Sequence, residues 1–309
     1  MEWFVFFILT WMKQLESVET SELSLAAKMF PPELTAWVPA ASEPVFTARS
    51  APSWDRRIRE RGWIIIEDGL WRLWYTGYDG QRDSRKHLGH AISPDGLLWI
   101  RTPPVPLIDH QWVEDVCVVK RDDTYYLFAE GEQDRAQLFQ SNDGLNWKHL
   151  GRLNILTTRG EPISEGPYGT PAVYLEPTQG YLFYERRDGG VWLATSHDLL
   201  NWRHVQDEPV LTPGPASYDR DLIAVNQVFR HGEYYYAVYH GARRTEPPVL
   251  WSSGLAASRD LIHWTKYPGN PLRPVAENKS SGIMLHSPQG WRFYTMHDRV
   301  EVHVPARSP

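Results

Sequence analysis

The chain has 309 residues, a formal net charge of −6, 13% aromatic residues and a single cysteine, Cys117. That balance argues against nucleic acid as a partner, and one cysteine excludes an intrachain disulfide. Fifteen Trp, fifteen Tyr, and 24 Pro and 22 Gly scattered rather than clustered suit many short strands and tight turns.

The first residues stand apart. Trp3 to Met12 is an apolar run too short to span a bilayer, and Glu2 stands where a signal peptide would carry basic residues. It reads as an interfacial or homodimer-forming helix, a degenerate export signal or a misassigned start, so both cytoplasmic and exported locations stay open. Glu16 to Met29 has the pattern of a short helix stopped by Pro31-Pro32. We therefore assign residues 1–42 to an N-terminal extension, 43–304 to the folded body and 305–309 to a tail.

Within the body one motif recurs four times: Ser93-Pro-Asp-Gly-Leu-Leu-Trp99, Ser141-Asn-Asp-Gly-Leu-Asn-Trp147, Ser196-His-Asp-Leu-Leu-Asn-Trp202 and Ser258-Arg-Asp-Leu-Ile-His-Trp264. The intervals between its tryptophans, 48, 55 and 62 residues, are those of a propeller blade, a sheet that must stack on its neighbours to bury both faces. Each motif follows an aromatic strand: Trp71–Gly77, Tyr125–Gly131, Tyr181–Glu185 and Tyr234–Gly241. A fifth such strand, Trp291–His297, has no motif after it. The N-terminal Glu43-Pro-Val-Phe-Thr47 resembles the segments that follow the motif and is expected to complete a fifth blade and close the ring. The expected fold is all-β, a five-bladed β-propeller with a short helical or irregular N-terminal extension. Ser and Asp bond local backbone in tight turns, so the motif itself is structural.

Chemistry is sought in what the blades do not share. Three acids precede innermost strands: Asp55 before Gly62–Ile66, Asp115 before Val116–Val119, and Glu165 before Thr170–Val173. Asp219 holds the same slot before Ala224–Val228. Glu114 competes with Asp115, because adjacent strand residues face opposite sides. His240 and His297 end two of the aromatic strands, and a histidine titrates near neutrality. Trp54, Trp112, Tyr168, Arg186, Asn226 and His297 flank these groups as candidate sugar contacts. The arginines at 56–61, 186–187 and 243–244 suit either an acidic sugar or solvated loops. No Cys/His cluster has zinc spacing.

The strings Ser196–Trp202 and Ala257–Trp264 resemble the blade motifs of five-bladed β-propeller glycosidases, glycoside hydrolase family 43 and its relatives in families 32, 62, 68, 117 and 130. The resemblance covers about residues 43–304. It implies cleavage of a glycosidic bond in an oligo- or polysaccharide by funnel carboxylates, with no redox cofactor and at most a structural cation on the axis. Glu165-Gly-Pro167 looks like the family 43 motif around the general acid, and Trp54-Asp55 takes the place of its general base. By that resemblance Asp55 would activate water, Glu165 would protonate the leaving group, and Asp115 would tune Glu165, in an inverting reaction. Asp55 departs from the pattern, being followed by Arg56-Arg57. The family 117 relatives use a histidine acid, for which His240 is the candidate. A family 130 type phosphorylase would need cations for phosphate, here Arg56, Arg57 and Lys279, and a non-catalytic sugar-binding propeller is the remaining reading.

Overall fold

The computed structural model describes residues 28–244 and 248–306, leaving aside the side chain of Glu60. The apolar run 3–12, nearly all of the expected helix 16–29 and the dimer contact expected there lie outside the described residues. A single turn of helix, Pro32–Thr35, begins after Pro31 and leads into strand β1 (Trp37–Pro39).

Five sheets follow, arranged as the blades of a propeller. Blade one comprises β2 (Arg57–Glu67), β3 (Leu70–Tyr78), β4 (His87–Ser93) and β5 (Ile100–Arg101). Blade two comprises β6 (Glu114–Arg121), β7 (Thr124–Gly131), β8 (Arg135–Ser141) and β9 (Lys148–Arg152). Blade three carries an extra outer strand, β10 (Asn154–Leu156), beside β11 (Gly169–Leu175), β12 (Gly180–Glu185), β13 (Val191–Ser196) and β14 (Asn201–His204). Blade four comprises β15 (Leu222–His231), β16 (Tyr234–Ala242), β17 (Trp251–Ser258) and β18 (Trp264–Lys266). Blade five has β19 (Gly282–Ser287), β20 (Gly290–Met296) and β21 (Val300–Pro305) from the C-terminal end, and β1 as its outer strand. The described residues therefore hold five blades, as the repeat count implies.

The N-terminal closure also forms, with a shift. The pairing strand is β1, antiparallel to β21, upstream of the boundary expected at residue 43. The expected segment adds one bridge, Phe46 to Val300, with Val300 N–H donating to Phe46 O at 2.8 Å. Pairing one edge strand from each chain end closes the ring and covers the outer edge of β21.

The recurring motif joins the third strand of blades one to four to the fourth. In blade one Ser93 Oγ accepts the Gly96 N–H at 2.8 Å, and Asp95 Oδ1 accepts those of Leu97 and Leu98 at 2.8 and 2.9 Å. Blades two, three and four repeat these bonds around Asp143, Asp198 and Asp260. The turn is also a latch between blades. Trp74 of blade one donates its indole N–H to Gly144 O of blade two at 2.8 Å, and Tyr294 of blade five donates to Gly96 O of blade one at 3.1 Å. Phe128 and Phe183 meet Trp202 and Trp264 of the next blade edge to face, both at 5.9 Å. Burying each such ring contributes about 1.5–3 kcal/mol, and only a neighbouring blade can supply the cover.

The innermost strands of blades one to four share a second device. Each breaks register with its second strand: between Arg59 and Trp63, Glu114 and Cys117, Gly169 and Ala172, and Val225 and Gln227. A bulge frees backbone carbonyls from the ladder. The freed carbonyls of Asp115, Pro171, Val225 and Asn226 all accept hydrogen bonds from Arg61, which has no exposed surface. One guanidinium thus ties blade one to blades two, three and four.

Candidate functional site

Above Arg61 the blades enclose a cavity of about 440 Å³. Six carboxylates line it, all from blades two and three: Glu114, Asp115, Glu130, Asp134, Glu185 and Asp188. Arg59 of blade one, His240 and Trp251 of blade four and Ser280 line it from the other blades, and Arg187 of blade three adds a second guanidinium.

Local backbone explains how so many acids converge. Asp115 and Thr170 take left-handed φ values of 48° and 46° in their bulges, which turns the Asp115 carboxylate toward the Arg61 N–H at 3.3 Å. Glu130 and Glu185 close the second strands of blades two and three. A Cβ on Gly169 would clash with both of their carboxylates, so this glycine lets the two acids press on one point of the backbone. Glu130 accepts the Thr170 N–H at 2.9 Å, and Glu185 accepts the Asp188 N–H. Glu114 is ion-paired to Arg59 and accepts the Trp112 indole N–H at 2.9 Å.

Burial and mutual repulsion set the protonation states. Burial, reinforced by Asp188, pushes Glu185 up to about 8. Burial, with Asp115, Glu114 and Asp134 around it, holds Glu130 well above the usual carboxylate range. Glu114 rises to about 7 through burial and the Asp115 charge, against the pull of Arg59. Burial and Asp115 raise Asp188 to about 6. At neutral pH the cavity therefore holds protonated carboxyls beside ionised ones, the pairing that general acid–base chemistry needs.

Of the expected catalytic residues, Asp115 and its rival Glu114 lie in this cavity, and Glu165 and Asp55 do not line it. Glu165 is exposed, on a loop whose backbone is held by Arg186, which donates to Ser164 O, Glu165 O and Pro167 O. Asp55 is fully buried and saturated: Arg49 and Ser53 donate to Oδ1, and Arg101 at 2.7 Å and the Tyr75 hydroxyl at 3.0 Å to Oδ2. Asp219 repeats the arrangement in blade four, with Lys266 at 2.6 Å and the Tyr239 hydroxyl at 3.2 Å. Two of the four supposedly unshared acids are thus one repeated structural bracket. They precede their strands, whereas Asp115 sits inside a bulge.

His240 lines the cavity, its Nδ1 bonded to Asn226 Oδ1 at 2.7 Å, and burial pushes it down to about 3. Burial thus disfavours the imidazolium form that an acid role would need. Buried Asn226 acts on His240 rather than lining the cavity. His297 is bonded to Ser280 Oγ at 2.8 Å, behind the wall. Trp112 faces Lys86 at 4.5 Å and positions Glu114. Trp54 stacks on Tyr75 at 5.9 Å, and Tyr168 packs edge to face on Tyr184, so both serve packing. Lys279, expected to hold phosphate, is paired with Glu301 at 3.0 Å away from the cavity, and Arg56 and Arg57 line a separate cleft.

Sequence reasoning missed Glu130 and Glu185 by searching only the starts of innermost strands. The signal stood in the second strands, where one aligned column reads Thr76, Glu130, Glu185, His240 and Met296. A column that varies while its neighbours repeat is where a propeller carries its chemistry.

No protein-family model matches the chain. It is 25% identical over 223 residues to a 1,2-beta-oligomannan phosphorylase from Thermoanaerobacter sp. (strain X514), covering 65% of this chain and 70% of that one. Among solved structures, a putative glycoside hydrolase from Parabacteroides distasonis superposes with a TM-score of 0.71 at 16% identity, over 89% of this chain and 97% of the other. Another, with TM-score 0.69 and 15% identity over 89% and 96%, comes from work on the glycoside hydrolase family 130 mannoside phosphorylases and their hydrolase members that target beta-1,2 mannosidic linkages. At these identities the structural likeness establishes the five-bladed fold. No helix among the described residues is long and apolar enough to cross a membrane.

Proposed function

We propose that the chain is a glycoside hydrolase that cleaves a glycosidic bond of an oligo- or polysaccharide in the funnel above Arg61. The observation that carries this reading is the pair of raised carboxyls, Glu130 and Glu185, brought together over Gly169 beside the ionised acids of the same cavity. Glu185, protonated at neutral pH, gives its proton to the leaving oxygen. Asp115, anchored on its bulge, takes a proton from water as that water attacks the anomeric carbon. Glu130 stays protonated between them and donates a hydrogen bond to a sugar hydroxyl, and Trp251 offers an apolar face to the ring. An inverting course requires the acid and base to stand roughly 6.5–9.5 Å apart, and proton NMR of the first anomer released reads it.

Both the oligomannan phosphorylase and the family 130 structure are described as acting on 1,2-β-mannosides, so β-1,2-mannooligosaccharides are the first substrates to offer. The phosphorylase relative makes phosphorolysis the second reading. Of the two arginines that line the funnel, Arg59 is already paired with Glu114, which leaves Arg187 alone to meet a free phosphate and so favours water. A glycan-panel assay with and without phosphate tests both. Release of free sugar independent of phosphate, abolished in Glu185→Gln, supports the hydrolase. Sugar 1-phosphate as the product, or full activity in Glu185→Gln, refutes it.

A further inference from the structure

β2 begins Arg57-Ile-Arg-Glu-Arg61, and Arg57 and Arg59, two apart ahead of the bulge, share a face of the strand. Two of these arginines have assigned work. Arg61 holds the axis and Arg59 pairs with Glu114 in the funnel. Arg57, about 7 Å from Arg59 along the strand by its rise, is exposed.

Around Arg57 lies a separate cleft of about 460 Å³, also lined by Arg49, Arg56, Asp79 and Gly80. Its charges do not cancel. Arg49 is neutralised by Asp55. The Asp79 carboxylate accepts from Ser84 and the Gln81 N–H through Oδ1 and keeps its charge, which Arg56 stabilises, so it offsets one of the two remaining guanidiniums and leaves the other in excess. Arg56 donates only to the Asp79 carbonyl, and Arg57 reaches the Arg56 carbonyl at 3.4 Å. Among the described residues no carboxylate forms an ion pair with Arg56 or Arg57. Gly80, at φ 89°, lies against the Arg57 stem, where a Cβ would come within 3.2 Å of its Cγ, so the loop can follow the arginine closely. Two guanidiniums with open donors thus share a concave site in a protein of net charge −6, beside a funnel that repels anions.

We propose that this cleft binds an oxyanion carried by the glycan, a sulfate, phosphate ester or uronate carboxylate on a sugar flanking the one in the funnel. Guanidinium forks match the oxygens of such groups. The division of charge then selects the register: a neutral sugar enters the acidic funnel while its anionic neighbour rests on Arg56 and Arg57. The assignment to a glycan rests on the hydrolase reading, but anion binding itself does not.

The test separates the two. Inorganic sulfate is titrated into the whole protein, followed by NMR and calorimetry, for wild type, Arg57→Ala, Arg56→Ala/Arg57→Ala and Glu185→Gln. We expect saturable binding, weakened at least about tenfold in the double variant, unchanged in Glu185→Gln and reduced by added chloride. Both arginines are at the surface, so circular dichroism should show the variants folded. No saturable binding, or equal binding in the double variant, overturns the site whatever the glycosidase assay shows. Its source is read with matched oligosaccharides with and without one sulfate or uronate: the anionic member should have the lower KM, and the double variant should erase the difference at unchanged kcat. A phosphate-dependent product whose formation requires Arg57 would make the anion a co-substrate and overturn the glycan assignment.

Discussion

Replacing Arg61 by Met tests the axial tie directly. The guanidinium donates to carbonyls of Asp115, Pro171, Val225 and Asn226, the last three at 2.7–3.3 Å, and no other side chain bonds three foreign blades in this way among the described residues. An apolar replacement for a buried charge is often tolerated when both partners are removed together. Here the partners are backbone carbonyls that cannot be removed, and their bulges leave them outside the sheet ladder. A charge-assisted bond of this kind contributes about 1.5–3 kcal/mol, so losing four, with some rescue by entering water, should cost roughly 4–6 kcal/mol. Against a total stability of about 5–15 kcal/mol that is severe, and at about 2 °C per kcal/mol it lowers the melting temperature by roughly 10 °C. Thermal and urea unfolding followed by tryptophan fluorescence measure it. Arg61→Lys, which keeps a charge but fewer and less directed donors, should lose about half as much. A shift under about 2 °C for Arg61→Met would show that the blades are held by their apolar faces alone.

Four further predictions follow from the carboxylates and the ring closure. Activity should fall as pH rises through about 8, because burial and Asp188 raise Glu185 and its proton is present below that value and lost above it; Asp188→Asn should move the alkaline limb of kcat/KM to lower pH, and an unmoved limb counts against Glu185 as the acid. The same raised groups make folding favour the protonated form, so their contribution to stability is fully present below about pH 4 and is lost progressively until pH passes their folded values of about 6 and 8; melting temperature should decline from about pH 4 to 8, less steeply in Glu185→Gln. Asp55→Asn should lower stability by about 3–5 kcal/mol by stripping the counter-charge from Arg49 and Arg101, while the folded fraction keeps normal kcat, which active-site titration can check. Val38→Pro, in the middle of β1, should open the edge of β21 and promote association in light scattering.

The blade count was readable because it is local. Ser-x-Asp-x-x-x-Trp satisfies its own backbone within seven residues, so it recurs wherever a third strand turns into a fourth. Its absence after Trp291–His297 already implied a blade finished by the other end of the chain, although the pairing strand proved to be Trp37–Pro39 rather than the segment around Phe46. The site was only half readable. Asp115 and Glu114 stood out by position, but Asp55 and Asp219 resembled them in sequence while being brackets for Arg101 and Lys266.

Turn chemistry, the number of blades and the need for N-terminal closure were determined by sequence alone, because each rests on contacts a few residues apart or on simple parity of strands. Which carboxylates meet was decided only by tertiary structure. Glu130 and Glu185 are 55 residues apart and share one point of space because Gly169 has no side chain and the innermost strands bulge around Arg61. Their raised affinity for protons comes from burial and from each other's neighbours, properties of the assembled funnel that no single blade contains.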